Sequence, residues 1–150
     1  MKLHQLTRIQ TLPVQMAEAW QFFSSPRNLP SITPPWLNLV AMNDIPDSMY
    51  PGMVIQYRVK PFLGIPVNWL TEITHVDAPR YFVDEQRFGP YRFWQHHHYF
   101  RPAKDGIKMT DTVYYALKYG PLGRLIHSAL IRRRLEEIFD FRQRALAQLF

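Results

Sequence analysis

The chain has 150 residues, of which 47% are hydrophobic and 15% aromatic, and its formal net charge is +6. This length and composition predict one folded domain over residues 1–150 rather than a disordered chain. The absence of cysteine excludes disulfides, thiolate zinc sites and cysteine nucleophiles. No stretch approaches the ~18 consecutive apolar residues of a membrane span, and no apolar run follows the N-terminus as in a signal peptide. We therefore expect a soluble, cytoplasmic protein.

The N-terminal part of the chain predicts one strand followed by two short helices. Residues 2–12 alternate loosely in polarity, as a half-buried strand does. Residues 13–23 have apolar side chains at helical spacing, with Pro13 at the start of the helix. Residues 27–35 predict a second, short helical turn that prolines interrupt.

The middle of the chain predicts a meander of strands. Turn sequences rich in proline and glycine separate the apolar runs. Consecutive strands joined by short connections form an antiparallel sheet. The six candidate strands are residues 36–42, 53–59, 67–76, 81–88, 91–101 and 107–118.

Residues 122–150 predict one long amphipathic helix, because they contain no proline and a single glycine. A helix of this length, about 43 Å at ~1.5 Å per residue, needs a surface to lie on. The predicted fold class is therefore α+β, with a curved antiparallel sheet of six to seven strands around the C-terminal helix. The predicted buried stripe of the helix consists of Leu122, Leu125, Ile126, Ala129, Leu130, Arg133, Ile138, Phe139, Arg142, Leu146 and Leu149.

Six short motifs mark the chain: SPRNL at 25–29, ITPPWL at 32–37, GPY at 89–91, WxHxHxF at 94–100, DxVxY at 111–115 and GPLG at 120–123. In these motifs and in its order of elements, the chain resembles the START-like, or SRPBCC, superfamily, and in particular its bacterial polyketide cyclase or ligand-binding-like group. The resemblance implies a helix-grip fold with two short helices after the first strand. It also implies a cavity for a lipid, polyketide or aromatic metabolite. On strand 81–88, it favours Asp84 and Gln86 as the positions that belong to the sequence pattern of the family.

The hairpin around residues 104–105 predicts which side chains share a face. With a two-residue turn, residues whose numbers sum to 209 oppose each other, and opposed residues point to the same side of the sheet. This side is mostly apolar, so we expect it to be buried, although a one-residue slip would change every pair. The predicted pairs are Trp94–Tyr115, His96–Val113, His98–Asp111 and Phe100–Met109.

The first functional hypothesis is a ligand-binding or carrier domain without a cofactor, whose partner is a small hydrophobic molecule. The cavity would lie between the sheet and the C-terminal helix. Its predicted apolar walls are Trp69, Trp94, Phe100, Val113 and Tyr115, and its predicted polar contacts are Gln86, His96, His98 and Asp111.

The second hypothesis is a cyclase or aromatase. Asp111 would orient His98, which would take a proton from an activated carbon of a polyketide-like chain. Tyr115 would stabilise the enolate oxygen. A metal site is an alternative for the same face, with His96 and His98 as ligands and Asp111 or Glu85 as the third, although we expect no metal.

The basic residues have further interpretations. They are spread along the chain and do not interleave with aromatic residues, so we expect no nucleic-acid partner. Arg132, Arg133 and Arg134 form one cluster, and a basic helix facing anionic lipid would suit a membrane-apposed lipid exchanger. Arg133 falls near the buried stripe, where it would meet Glu85 or Asp111 or bind an anionic head group. His75 and His127 show no predicted connection to the site.

Overall fold

A computed structural model describes the backbone of residues 1–150 and every side chain except that of Ser128. Its centre is a curved, seven-stranded antiparallel sheet in the order β1-β7-β6-β5-β4-β3-β2. The five strands from β3 to β7 follow one another as a meander, and only β1 joins out of sequence, beside β7. The strands are β1 (His4–Leu12), β2 (Val40–Ala41), β3 (Val54–Phe62), β4 (Ile65–Asp77), β5 (Tyr81–Phe88), β6 (Phe93–Ala103) and β7 (Gly106–Ala116).

Two groups of helices complete the fold. Helix α1 (Met16–Phe23) and a 3-10 helix (Pro26–Ile32) follow β1, and a shorter 3-10 helix (Pro35–Leu37) precedes β2. The C-terminal helix consists of α2 (Gly120–Ile126), a π-helical segment (His127–Ile131) and α3 (Arg132–Leu149). The predicted α+β helix-grip architecture is confirmed. No helix within the described part of the chain is both long enough and apolar enough to cross a membrane.

Several predicted boundaries are wrong. The strand expected at 36–42 is reduced to β2, because residues 35–37 form a 3-10 turn that ends on the left-handed backbone of Asn38. The helix expected from residue 13 begins at Met16, after a tight turn from Leu12 to Val14. Strands β3 and β4 extend toward each other beyond their predicted limits at residues 59 and 67, and only Leu63 and Gly64, both at positive φ, connect them.

The C-terminal helix does not present the single stripe that its spacing predicts. Phe139, Arg142 and Leu146 of α3 are buried, as expected, and Leu135, which lies outside the predicted stripe, is buried as well. Leu122 and Leu125 of α2 are instead 59% and 67% exposed. The π-helical segment between α2 and α3 places more residues in one turn than an α-helix does, so the apolar positions on its two sides fall on different faces.

The core lies between the inner face of the sheet and α3. One cluster joins α1 and the ends of β6 and β7 to the last turns of α3, through Phe23, Phe100 and Leu146. A second joins β6 and β7 to the beginning of α3, through Trp94 and Leu135 among others. Apolar side chains of β3 form a third cluster with Met53, which precedes the strand, and Ile73 of β4. A cavity remains among the three.

Candidate functional site

The cavity has a volume of about 210 Å³ and lies between the inner face of β3–β6, the first 3-10 helix and α3. Most of the residues that line it are apolar. Its walls include Leu29, Ile55, Val59, Trp69, Ile73, Trp94 and Phe139. Its polar lining comes in part from Asp84, His96, His98 and Arg142.

The β6–β7 hairpin explains how the histidines reach this cavity. The hairpin turns at Lys104 and Asp105, and Ala103 pairs with Gly106. All four predicted pairs are present, including His98 opposite Asp111 and His96 opposite Val113, so this part of the prediction is confirmed. The inner face of β6 is buried at every second residue, as a strand packed on one side requires.

Asp111 lies directly behind both histidines. Nε2 of His96 donates a hydrogen bond of 2.9 Å to Oδ1 of Asp111. Nδ1 of His98 lies 3.1 Å from the same oxygen, but its direction is poor and it makes no hydrogen bond among the described residues. Asp111 is 2% exposed and does not line the cavity. Asp111, which we predicted as a direct ligand contact, therefore lies behind the cavity wall, where its hydrogen bond orients the His96 ring and its carboxylate lies against the His98 ring.

Asp84 on β5 is the carboxylate that faces the cavity. It pairs in register with His96, and its Oδ2 lies 2.6 Å from Nε2 of His98 and 3.8 Å from Nδ1 of His96. Glu85, an alternative for the third metal ligand, points to the other face, where it contacts Gln95 and Arg87. The resemblance favoured position 84, but the pattern of the strand alone did not choose between the two acids.

Arg142 of α3 completes the cluster. Its Nη2 lies 3.5 Å from Oδ1 of Asp111, and its guanidinium carbon lies 5.7 Å from the centre of the Phe23 ring. Arg133, which we expected to meet Glu85 or Asp111, is exposed and pairs with Glu137 on its own helix. The predicted stripe placed both Arg133 and Arg142 among apolar positions of α3. That position was the sequence signal for Arg142, although the prediction gave it no partner.

Burial by itself raises the pKa of both carboxyl groups, but their partners overcome it. The hydrogen bond from His98 and the charge of His96 lower the pKa of Asp84 overall. The charge of Arg142 and the contacts with His96 and His98 lower the pKa of Asp111 well below its ordinary value. These contacts explain how two carboxylates remain ionised in one buried site.

The pKa values of the two imidazoles are shifted in opposite directions. Burial lowers the pKa of His98, but its contacts with Asp111 and Asp84 raise it overall. Burial and the charge of His98 lower the pKa of His96. The protein groups alone therefore favour a protonated His98 beside a neutral His96. Since Nε2 of His96 donates to a carboxylate, its Nδ1 carries the free lone pair.

Aromatic rings hold both imidazoles in place. The His98 ring stacks on Phe82 with centroids 3.9 Å apart and on His96 with centroids 3.7 Å apart. Phe139 of α3 meets His96 edge-on, at 5.5 Å. The side chains of the cluster are therefore fixed by packing as well as by hydrogen bonds.

Besides Asp111, four predicted contact residues do not line the cavity. Phe100 and Val113 are packed in the core. Gln86 exchanges two hydrogen bonds with the backbone of Tyr91 at the turn before β6. The hydroxyl of Tyr115 lies 2.7 Å from Nε2 of His127, a residue for which we predicted no connection. Trp69, Trp94, His96 and His98 do line the cavity.

This geometry does not fit the cyclase hypothesis as we framed it. His98 contacts two carboxylates, which favour its protonated form, so it is suited to donate a proton rather than to take one. Tyr115 cannot stabilise an enolate in the cavity, since its hydroxyl is engaged with His127 outside the cavity lining. The neutral His96 is the better proton acceptor of the two histidines.

The sequence matches no protein-family model and no curated protein. Among solved structures, the chain is similar to CV1439 from Chromobacterium violaceum, with a TM-score of 0.70, 12% identity, and 97% of this chain and 96% of that chain covered. Major latex-like protein 151 from Panax ginseng gives a TM-score of 0.69 at 12% identity over 96% and 95% of the two chains. Ara h 8.0201 gives 0.64 at 16% identity over 98% and 99%. At these identities the comparisons establish the fold, which agrees with the helix-grip fold that the resemblance implied.

Proposed function

We propose that the chain binds a small, largely apolar ligand that carries a hydroxyl group, in the cavity between the sheet and α3. The observation that carries this proposal is an apolar cavity with a buried cluster of charged groups in its wall. Ligand pockets commonly combine apolar walls with a few fixed polar groups that orient the ligand.

The volume of the cavity limits the size of the ligand. Pockets for drug-sized molecules span about 300–1,000 Å³, whereas this cavity has about 210 Å³. A ligand with one or two rings, or a short chain, fits this space better than a lipid with two long chains.

The polar groups at the cavity favour a ligand that donates a hydrogen bond. The side chain of Asp84 is 20% exposed, whereas that of His98 is 5% exposed and that of Asp111 2%. Asp84 is thus the most accessible acceptor in the cluster, and Nδ1 of His96 offers a second lone pair beside it. A phenolic metabolite or an aromatic polyketide fragment matches both the apolar walls and these acceptors.

The test compares 2-naphthol with naphthalene, which have the same rings with and without the hydroxyl. Quenching of Trp69 and Trp94 fluorescence reports binding, because both indoles line the cavity. We expect saturable binding of 2-naphthol, and naphthalene should bind about 2- to 10-fold more weakly, which corresponds to one hydrogen bond of ~0.5–1.5 kcal/mol. Equal affinities would contradict the proposed role of the acceptors.

A pair of variants on β3 tests whether the ligand binds in this cavity. Val59 is 3% exposed and lines the cavity, whereas Val54 is 45% exposed on the same strand. Val59→Phe should fill part of the cavity and weaken 2-naphthol binding at least about 10-fold. Val54→Phe should leave the affinity unchanged. A folded Val59→Phe variant with wild-type affinity would place the ligand elsewhere.

A further inference from the structure

We propose that Asp84, His96 and His98 form a binding site for a divalent first-row transition-metal ion, of the zinc or iron(II) class. Each residue offers one ligand atom, and the three atoms lie within 4.8 Å of one another. Two imidazole nitrogens and one carboxylate oxygen form a donor set that such ions accept. This proposal does not depend on the ligand-binding proposal, since the ion can be measured directly.

The distances are close to those of a metal site. In a tetrahedral site with ligand distances of about 2.1 Å, the ligand atoms lie about 3.4 Å apart. Oδ2 of Asp84 lies 3.8 Å from Nδ1 of His96 and 2.6 Å from Nε2 of His98. Shifts of less than about 1 Å in side-chain position would therefore bring all three atoms to one ion.

The backbone supports this arrangement. Asp84 and His96 are direct partners in the β5–β6 ladder, and His98 follows two residues along on the same face. Both strands lie inside the sheet with neighbours on either side. Sites carried by strands are held more rigidly than sites on loops.

Asp111 lies on the side of both imidazole rings that faces away from Asp84. Its Oδ1 accepts the Nε2 hydrogen of His96 at 2.9 Å and lies 3.1 Å from Nδ1 of His98. The hydrogen bond places the hydrogen of His96 on Nε2 and leaves its Nδ1 free, facing Asp84. Nδ1 of His98 lies beside the same oxygen without bonding it, and a hydrogen on that nitrogen would leave Nε2, which faces Asp84, free for an ion. A carboxylate behind a metal-binding histidine is a recurrent way to fix its tautomer.

The charges also suit a cation. Arg142 lies against Asp111 and offsets the charge of that carboxylate, so Asp84 remains as the acidic group in the cavity wall. Three protein ligands leave at least one coordination position, and all three residues line the cavity. A small molecule in the cavity would therefore have access to the ion.

The alternative occupant of this space is a proton. In that case the 2.6 Å contact is simply a hydrogen bond from His98 to Asp84, and the cluster is a closed polar network. The two arrangements differ in a measurable way, since only the first takes up one ion per chain.

The experiment uses the full chain after treatment with a chelator and dialysis. Zn²⁺ is titrated by calorimetry, and Co²⁺ is titrated by its visible absorption as a probe of coordination. We expect one ion per chain. Asp84→Asn should weaken the affinity by more than about 100-fold, because loss of a residue that only orients a ligand already costs about 10- to 100-fold. Asp111→Asn removes the carboxylate that orients the histidines but no metal ligand, so it should weaken the affinity by about 10- to 100-fold.

The matched control is His97→Gln. His97 is the neighbour of both histidines on β6, but it points to the other face, where it contacts Tyr81 and Gln95. This variant should bind Zn²⁺ like the wild type. If binding falls in His97→Gln, or if it is unchanged in Asp84→Asn, the ion lies elsewhere and the proposal is wrong.

A measurement on the wild type covers the case in which a variant fails to fold. Imidazole ¹⁵N resonances should shift for Nδ1 of His96 and Nε2 of His98 when one equivalent of Zn²⁺ is added, while those of His75 and His97 stay in place. Uptake of less than about one ion per chain, or shifts at His75 and His97 alone, would overturn the proposal. Binding of 2-naphthol in the presence of chelator shows independently whether the cavity accepts a ligand.

Discussion

Arg142 and Asp111 form a buried ion pair between the two layers of the fold, with Nη2 of the arginine 3.5 Å from Oδ1 of the carboxylate. The two side chains are 9% and 2% exposed. Nε of Arg142 has no hydrogen-bond partner among the described residues, so the guanidinium is incompletely satisfied. The pair nevertheless fixes α3 over β7 by a specific contact rather than by apolar packing alone.

Arg142→Met should therefore lower the free energy of unfolding. Removing one partner of a buried pair costs about 3–5 kcal/mol, and we expect the lower end because His96 and His98 still contact Asp111. Urea unfolding followed by tryptophan fluorescence measures the loss. The control is Arg133→Met on the same helix, whose exposed side chain should contribute no more than about 0.5 kcal/mol. Equal stability of both variants would show that the buried pair contributes nothing net.

Gln86 should be important for the turn between β5 and β6. Its Nε2 donates to the carbonyl oxygen of Tyr91 at 2.8 Å, and its Oε1 accepts from the Tyr91 amide at 3.1 Å. Gln86→Ala leaves both backbone groups without these partners and should cost about 1–3 kcal/mol. Hydrogen exchange of the Tyr91 amide should become faster, whereas Arg87→Ala, beside it on the exposed face, should leave that rate unchanged. Unchanged exchange in Gln86→Ala would rule out this role.

The contact between His127 and Tyr115 predicts a dependence of stability on pH. The His127 ring also stacks on His4, with centroids 3.8 Å apart. Burial, followed by the charges of His4, Arg132 and Lys2, lowers the pKa of His127. The unfolded chain, where the pKa is about 6.5, therefore binds a proton at a higher pH than the folded chain does. This contribution to stability is present above about pH 6.5 and is lost as the pH falls below it.

His127→Gln isolates this effect, because the other histidines titrate in both proteins. We expect the wild type to lose more stability than the variant between about pH 7.5 and pH 5.5, as measured by urea unfolding at each pH. Parallel losses in the two proteins would show that the pKa of His127 does not differ between its folded and unfolded states.

Gly106 begins β7 at a point where no side chain fits. Its φ is +148°, and a Cβ atom there would overlap the carbonyl oxygen of Leu12 in β1. Gly106→Ala should lower the free energy of unfolding by about 2–4 kcal/mol, from strain and overlap together. Gly52, at φ +90° with open space around it, is the control, and Gly52→Ala should cost only about 1–2 kcal/mol. A difference smaller than the error of thermal denaturation would contradict the overlap.

The sequence was sufficient to predict the β6–β7 pairs, because a two-residue turn fixes the register of the hairpin. Asp84 was harder to place. The connection from β5 to β6 is longer, and the β4–β5 ladder contains two irregularities, so strand alternation alone could not decide between positions 84 and 85. The pairing of Asp84 with His96 depends on that connection rather than on a simple hairpin rule.

Contacts between the layers were harder still to predict. Helical spacing placed Arg142 on the buried side of α3, but it gave no information about which strand lies opposite. The same spacing predicted burial for Leu122 and Leu125, and it failed there because the π-helical segment changes the phase of the helix. Local patterns specify faces within one element, whereas partners across layers depend on the docking of whole elements.

The pairing of β1 with β7 has a consequence for the order in which the molecule assembles. Each of the other ladders joins strands that are neighbours in sequence, whereas Leu12 at the end of β1 meets Ile107, far along the chain. Bringing such distant segments together costs more chain entropy than closing a hairpin, and it slows folding. We expect the β3–β7 hairpins to form early in the folding transition state and β1 to dock late, so that substitutions in β1 change the unfolding rate more than the folding rate.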